Sequence, residues 1–496
     1  MRSMAGSLLL SVAVACCAGC GDGGGGAANT AAHKMLGVIE GFYGPPYSSE
    51  QRLDLIRFLP GAALDTYVYA PKNDAYLRAR WRDPYPPESL DEFRALTRTA
   101  RAVGVRFVLA LSPGADFDPD GADGAALEQK LAELFLAGVR DFCLLFDDLA
   151  RDSRAADPRV EVQIVGEALA FLRGLDPDSR LCFISHYYAG RAEEIAANAS
   201  PFDGGFPVPS SAAYAAYADI PADVAFFWTG PRVFASPLTA ADTAAFRALA
   251  GHPLLIWDNY PVNDVLLSRE LFLAPYRDRE AGVIGLVDGV LLNPMLQPEA
   301  SKIALWTAGR FFAEGDGYDP DAALDEALEV VAGDRTGARV LARLAEQFHS
   351  HPLIGDEPES PILADRAAAF FAAPSGDSEQ ALRALLQSYA DTVDDLARDV
   401  PNQRLVAELA EPANKLSLLG RAGLLALDLL DQRARGEPVD DSALRTALAS
   451  ADASPWLVGA NTPIAPGLDL FLAGRPAVPA DVFGAFFARV FAELGG

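Results

Sequence analysis

Eight short apolar runs, separated by segments of helical periodicity, constrain this chain more than any other feature of its sequence. The runs are 36–40 (LGVIE), 64–70 (LDTYVYA), 105–111 (VRFVLAL), 142–146 (FCLLF), 180–185 (RLCFIS), 224–228 (VAFFW), 253–257 (PLLIW) and 287–293 (VDGVLLN). They are rich in β-branched and aromatic residues and near-continuously apolar, as strands buried on both faces are. Segments such as SLDEFRALTRTARAVG and GAALEQKLAELFLAG between them carry apolar residues at helical spacing. Eight strands alternating with helices between residues 36 and 313 predict a (β/α)8 barrel, an α/β fold. A doubly wound open sheet is the structural competitor, but no Gly-x-Gly-x-x-Gly turn follows the first run.

The pattern changes after the eighth run. DAALDEALEVVAG, ARVLARLAEQF, SEQALRALLQSYADTVDDLARDV and LSLLGRAGLLALDLLDQRAR read as amphipathic helices, with Pro and Gly as punctuation. The predicted organisation is a barrel over residues 35–315 followed by an all-α helical bundle over 316–496. Ahead of both, residues 1–20 read as an export signal: Arg2, an apolar run from Leu8 too short to span a bilayer, then small residues. The signal ends in Cys17-Ala18-Gly19-Cys20, which resembles a bacterial lipobox and implies lipidation of Cys20, an ordinary secretory signal being the other reading. Residues 21–34 form a Gly-rich tether with a reach of roughly 20 Å by random-coil scaling. The expected location is the bacterial cell envelope, with the membrane touched only through a lipid anchor.

The net charge of −27 repels nucleic acid and anionic lipid. Beyond Cys20 only Cys143 and Cys182 remain, both in strand-like runs, so buried free thiols are expected, with a disulfide between them the alternative. Beyond Cys20 no Cys-x-x-Cys pattern occurs, the chain carries no His-Glu-x-x-His, and nothing calls for a metal or a cofactor.

Barrel enzymes work where the C-terminal ends of the strands meet. Here those ends run into EGFYGPPYS, YAPKND, SPGAD, DDLARD, HYYAG, WTGPR, WDNYPVND and NPMLQ. Aromatics for the C–H faces of a sugar and Asp, Asn and Lys for its hydroxyls make this a carbohydrate pocket in prospect. The sharpest feature is Asp147-Asp148 at the end of the fourth run. A metal-holding strand of a phosphate-loop nucleotidase would need Gly-x-x-x-x-Gly-Lys-[Ser/Thr], and none of the five lysines follows a glycine. A helix cap is the bland structural reading. As a catalytic pair, two close carboxylates drive their pKa values apart, leaving one charged and one able to protonate a leaving group. Successive strand side chains point to opposite faces, so the backbone must bend there to bring both to one site.

Six segments in order, GVIEGFYGPPYS, TYVYAPKNDAYLRARWRDPYP, FCLLFDDLARD, FFWTGPRV, IWDNYPVND and LLNPM, resemble glycoside hydrolase family 84, the O-GlcNAcases and bacterial β-N-acetylglucosaminidases, some called hyaluronidases. The resemblance implies retaining hydrolysis of terminal β-linked GlcNAc, with the substrate's acetamido oxygen attacking C1 to form an oxazoline. By position, Asp147 would orient the acetamido N–H and Asp148 would be acid and then base. Gly41 would let backbone approach the sugar. Lys72, Asn259, Asp264 and Asn293 would bind hydroxyls or the acetamido group, Tyr187 (or its neighbour Tyr188) would contact the acetamido oxygen, and Tyr43, Thr229 and Trp257 would line its pocket. The partner is then a GlcNAc-containing glycan or glycoprotein. A non-catalytic glycan-binding lipoprotein, or a hexosaminidase acting on hyaluronan or β-GalNAc, are the rival readings. Tyr47 stands where the family often has Trp, Asn73 replaces an Asp, and SHYY replaces a Pro-Thr-Glu-Tyr-like run.

Overall fold

The computed structural model describes residues 34–149, 153–198, 210–235, 237–349, 359–460 and 481–495. The export signal, Cys20 and all of the tether but Lys34 lie outside them. All eight apolar runs form strands, each within two residues of its expected ends: β1 Met35–Glu40, β2 Thr66–Tyr69, β3 Arg106–Leu111, β4 Asp141–Leu145, β5 Arg180–Ile184, β6 Ala225–Trp228, β7 Leu254–Asp258 and β8 Gly289–Leu292. Every neighbour pairs in parallel, and β8 returns to β1 with Gly289 opposite Met35, closing the barrel.

Alternation along the strands explains why they read as apolar throughout. Ile39, Val68, Val108, Ala110, Cys143, Leu145, Cys182, Ile184, Phe227, Leu255 and Leu291 fill the barrel interior. Their neighbours, among them Val38, Tyr67, Leu109, Phe142, Leu144, Phe183, Phe226, Ile256 and Val290, face the surrounding helices. Cys143 and Cys182 are paired across β4 and β5, buried and free.

Beyond the barrel the described chain is helical, as expected, with two differences. The run from Ser378 divides into Gly376–Ala390 and Thr392–Asp399, and the last segment belongs to one 32-residue helix, Gln403–Ala434. That helix passes straight through Pro412. A mid-helix proline costs ~3 kcal/mol through its lost N–H and its clash with the carbonyl four residues back. Leu405, Leu409, Ala413, Leu416 and Ala422, buried on both sides of it, offset that cost.

The helical half joins the barrel at Pro298–Glu314, the helix that follows β8. The Glu408 carboxylate accepts from the backbone N–H groups of Glu299 (3.1 Å) and Ala300 (2.9 Å), two of the unpaired donors in that helix's first turn. Beside it, Asn402 Nδ2 donates to Glu299 (2.9 Å), and Arg404 pairs with Asp54 (2.9 Å).

Candidate active site

The interior register of β4 runs Cys143, Leu145, Asp147, so the Asp147 side chain continues the inward row past the strand's end. Asp148 would point outward in a continuing strand. Instead its backbone turns to φ 56°, the left-handed region that Asp and Asn tolerate best among residues with a side chain. This is the bend the sequence required, and it brings both carboxylates to the same lysine.

Lys72, from the loop after β2, forms an ion pair with Asp147 Oδ2 and stands 3.8 Å from Asp148 Oδ2. Its ammonium also lies 5.2 Å from the ring centroid of Trp257. Asp147 is buried, and its other oxygen, Oδ1, is buried without a hydrogen-bond partner among the described residues.

Two phenols hold Asp148. Tyr43, after β1, donates to Oδ2 at 2.7 Å, and Tyr188, after β5, donates to Oδ1 at 2.9 Å. Burial pushes the Asp148 carboxyl up, but the Lys72 ammonium, the two phenol hydrogen bonds and the nearby Arg78 charge together outweigh it and hold it below the usual carboxylate range. The lysine and the two phenols thus favour the Asp148 anion.

The remaining polar groups form a chain across the ends of β7, β8 and β1. Asn259 Oδ1 accepts from Trp257 Nε1 (2.9 Å) and from Asn293 Nδ2 (3.1 Å), while Asn259 Nδ2 donates to the Val233 carbonyl (2.7 Å). Asn293 Oδ1 accepts from the Gly41 N–H (3.2 Å). Asp264 Oδ2 accepts from the Tyr43 N–H (2.6 Å), and burial raises its carboxyl. The Thr229 hydroxyl donates to the Arg232 carbonyl (2.9 Å). Under this chain, Asp258 is locked by Arg279 through Nε (2.9 Å) and Nη2 (2.5 Å) and by the Tyr276 hydroxyl (2.6 Å).

Packing within the site by itself requires glycine at position 41. A Cβ there would fall 2.2 Å from Trp257 Cζ2, so the missing side chain makes room for the indole.

Tyr187 is not brought to the pair. Its ring packs with the outer, helix-facing cluster, 5.4 Å from that of His186, and its carbonyl accepts from Tyr214 (2.6 Å). Tyr188 lies in the inner cluster and its hydroxyl reaches Asp148, which Tyr187 does not. The reason is that β5 ends at Ile184, and the three residues before Tyr188 leave strand alternation. Behind this turn Glu161 is fully buried. It accepts from the His186 N–H (2.8 Å) and the Tyr217 hydroxyl, and burial pushes its carboxyl up to about 8.

Sequence reasoning missed Arg78. Its Nη1 donates to the Tyr43 hydroxyl at 3.1 Å. Nothing in LRARWRD separates it from Arg80 and Arg82, which pair with Asp83 and with Asp116 and Asp123 instead.

A family model described as beta-N-acetylglucosaminidase matches residues 36–346. The rat (Rattus norvegicus) and mouse (Mus musculus) proteins named Protein O-GlcNAcase are each 32% identical to this chain, over 300 and 298 residues. The match covers 58% of this chain and 31% of theirs, so the chain aligns with about a third of the length of those relatives. Among solved structures, a variant of an O-GlcNAc hydrolase from Thermobaculum terrenum superimposes with a TM-score of 0.74 at 22% identity, covering 92% of this chain and 93% of that one. A protein named CpGH84B gives 0.74 at 24% identity, covering 92% and 77%. At these identities the superpositions speak to the fold.

Proposed function

The chain belongs to glycoside hydrolase family 84, the β-N-acetylglucosaminidases, and on that premise we propose that it hydrolyses terminal β-linked GlcNAc with retention, through an oxazoline formed by the substrate's own acetamido group. The observation that carries this reading is Asp147 Oδ1, an acceptor buried beside a lysine and without a partner among the described residues. A buried acceptor left unpaired costs about 1–3 kcal/mol, a cost a ligand N–H removes. An acetamido N–H bound there would gain acidity as its carbonyl oxygen attacks C1, and the anionic carboxylate would stabilise the charge that develops.

Asp148 acts on the leaving oxygen, then on water. A bound sugar would cover the carboxyl and strip it of solvent. That desolvation raises its pKa from the depressed value, supplying the acid form when it is needed. When the leaving group departs, Asp148 returns to the anion that the site favours and can take a proton from water. Asn259, Asn293 and Asp264, fixed by the chain of hydrogen bonds above, would read the acetamido group and hydroxyls. The names of the rat and mouse relatives favour protein-linked GlcNAc as substrate. Export and lipidation at Cys20 rest on the sequence, and loss of membrane association in Cys20→Ala tests them.

The decisive experiment is cleavage of 4-nitrophenyl β-N-acetylglucosaminide with proton NMR of the first product. The β-hemiacetal is expected. The α-hemiacetal, or saturable sugar binding without cleavage, would overturn the proposal.

A further inference from the structure

Arg78 lies in the loop after β2, half-buried, with its guanidinium 5.7 Å from the centroid of the Tyr43 ring. Its Nη1 meets the Tyr43 hydroxyl at 3.1 Å, and that hydroxyl meets Asp148 Oδ2 at 2.7 Å. Guanidinium can only donate. The phenol oxygen must therefore accept from Arg78, and its single proton is left for Asp148. A phenol free of Arg78 could rotate its proton away or accept one from a protonated carboxyl.

We propose that Arg78 is a positioning residue for the reaction: by occupying the acceptor side of the Tyr43 hydroxyl, it aims that phenol's proton at Asp148 Oδ2 and biases Asp148 toward its base form. This rests on the reading of Asp148 as acid and base. Arg78 thus shapes the step in which the carboxylate must take a proton from water, and it acts through Tyr43 rather than by touching substrate. Among the described residues, the other charged and titratable groups facing Asp148 are Lys72 from the same loop, Asp147 just past the end of β4, Tyr188 after β5 and Asp264 after β7. None of them touches the Tyr43 hydroxyl as Arg78 does. Arg78's own charge is opposed by burial and upheld chiefly by Asp147 and the Tyr43 hydrogen bond.

The test follows the Asp148 carboxyl by carbon NMR in the ligand-free protein, assigned with Asp148→Asn. Arg78→Met should raise its titration midpoint by roughly half a pH unit or more, and the same substitution in a Tyr43→Phe background should move it much less. The basic limb of kcat/KM should shift upward in parallel, with thermal unfolding unchanged. An unmoved midpoint in Arg78→Met, or an equal shift with and without the Tyr43 hydroxyl, would overturn the proposal. Should the wild-type protein cleave no β-N-acetylglucosaminide while the midpoint still moves as described, the proposed function falls and the Arg78–Tyr43–Asp148 relay stands.

Discussion

The Tyr188 hydroxyl donates to Asp148 Oδ1 across 2.9 Å, tying the end of β5 to the turn after β4. Removing that hydroxyl takes one of two phenol donors from the carboxylate. Tyr188→Phe should lower kcat/KM on an aryl β-N-acetylglucosaminide by about tenfold or more, the worth of a hydrogen bond to a charged group. Tyr187→Phe should change it far less. Equal losses would place both rings at the site, against the geometry.

Asparagine is the informative replacement for Asp148 because it tolerates the left-handed backbone at φ 56°. Asp148→Asn should slow cleavage by about 10²-fold or more where the leaving group needs a proton. Dinitrophenyl glycosides, which do not, should be cleaved with a much smaller loss. A loss independent of leaving-group pKa would remove Asp148 from the acid role.

Gly41→Ala drives a methyl group into the Trp257 indole. Overpacking of this kind costs roughly 1–3 kcal/mol, read as a lower urea midpoint, and weaker sugar binding should accompany it. Unchanged stability would mean that the indole moves aside without cost.

Glu161 gives the fold a pH dependence of known sign. Its carboxyl is raised by burial to about 8 in the folded chain, above an unfolded value of ~4.3. Its favourable contribution is therefore complete below the unfolded pKa and is lost as pH rises through the folded one. Wild type should lose stability between pH ~4.3 and 8, on the order of a few kcal/mol, and Glu161→Gln should flatten that slope. Thermal melts across the range decide it, and parallel slopes for both proteins would contradict the assignment.

The Asp258–Arg279 pair is almost wholly out of solvent. Arg279→Met leaves a buried carboxylate uncompensated and should cost about 3–5 kcal/mol. Adding Asp258→Leu should restore part of it, a double-mutant cycle that denaturant titration resolves. If the double variant is no better than the single, the loss comes from packing and not from charge.

The barrel was legible because its strands are buried on both faces and so stand out as apolar words of strand length. The bend at Asp148 was legible because two neighbouring acids on a strand cannot otherwise share a site. Where regular geometry stops, so does legibility. Tyr187 and Tyr188 differ only in how an irregular turn after Ile184 disposes them. Arg78 is one of three arginines in five residues, and only its placement in the fold separates the one on Tyr43 from those on aspartates. The course of the long helix through Pro412 was hidden because local propensity argues against it and distant packing decides it.

The Glu408 carboxylate, seated on the first N–H groups of the helix after β8, also bears on how the chain can be divided. Cloning residues 35–315 alone would strip that terminus of its anion and bare the apolar face beneath it, so an isolated barrel should emerge insoluble or inactive. Catalysis and scaffold are inherited together, and engineering either half means carrying the other along.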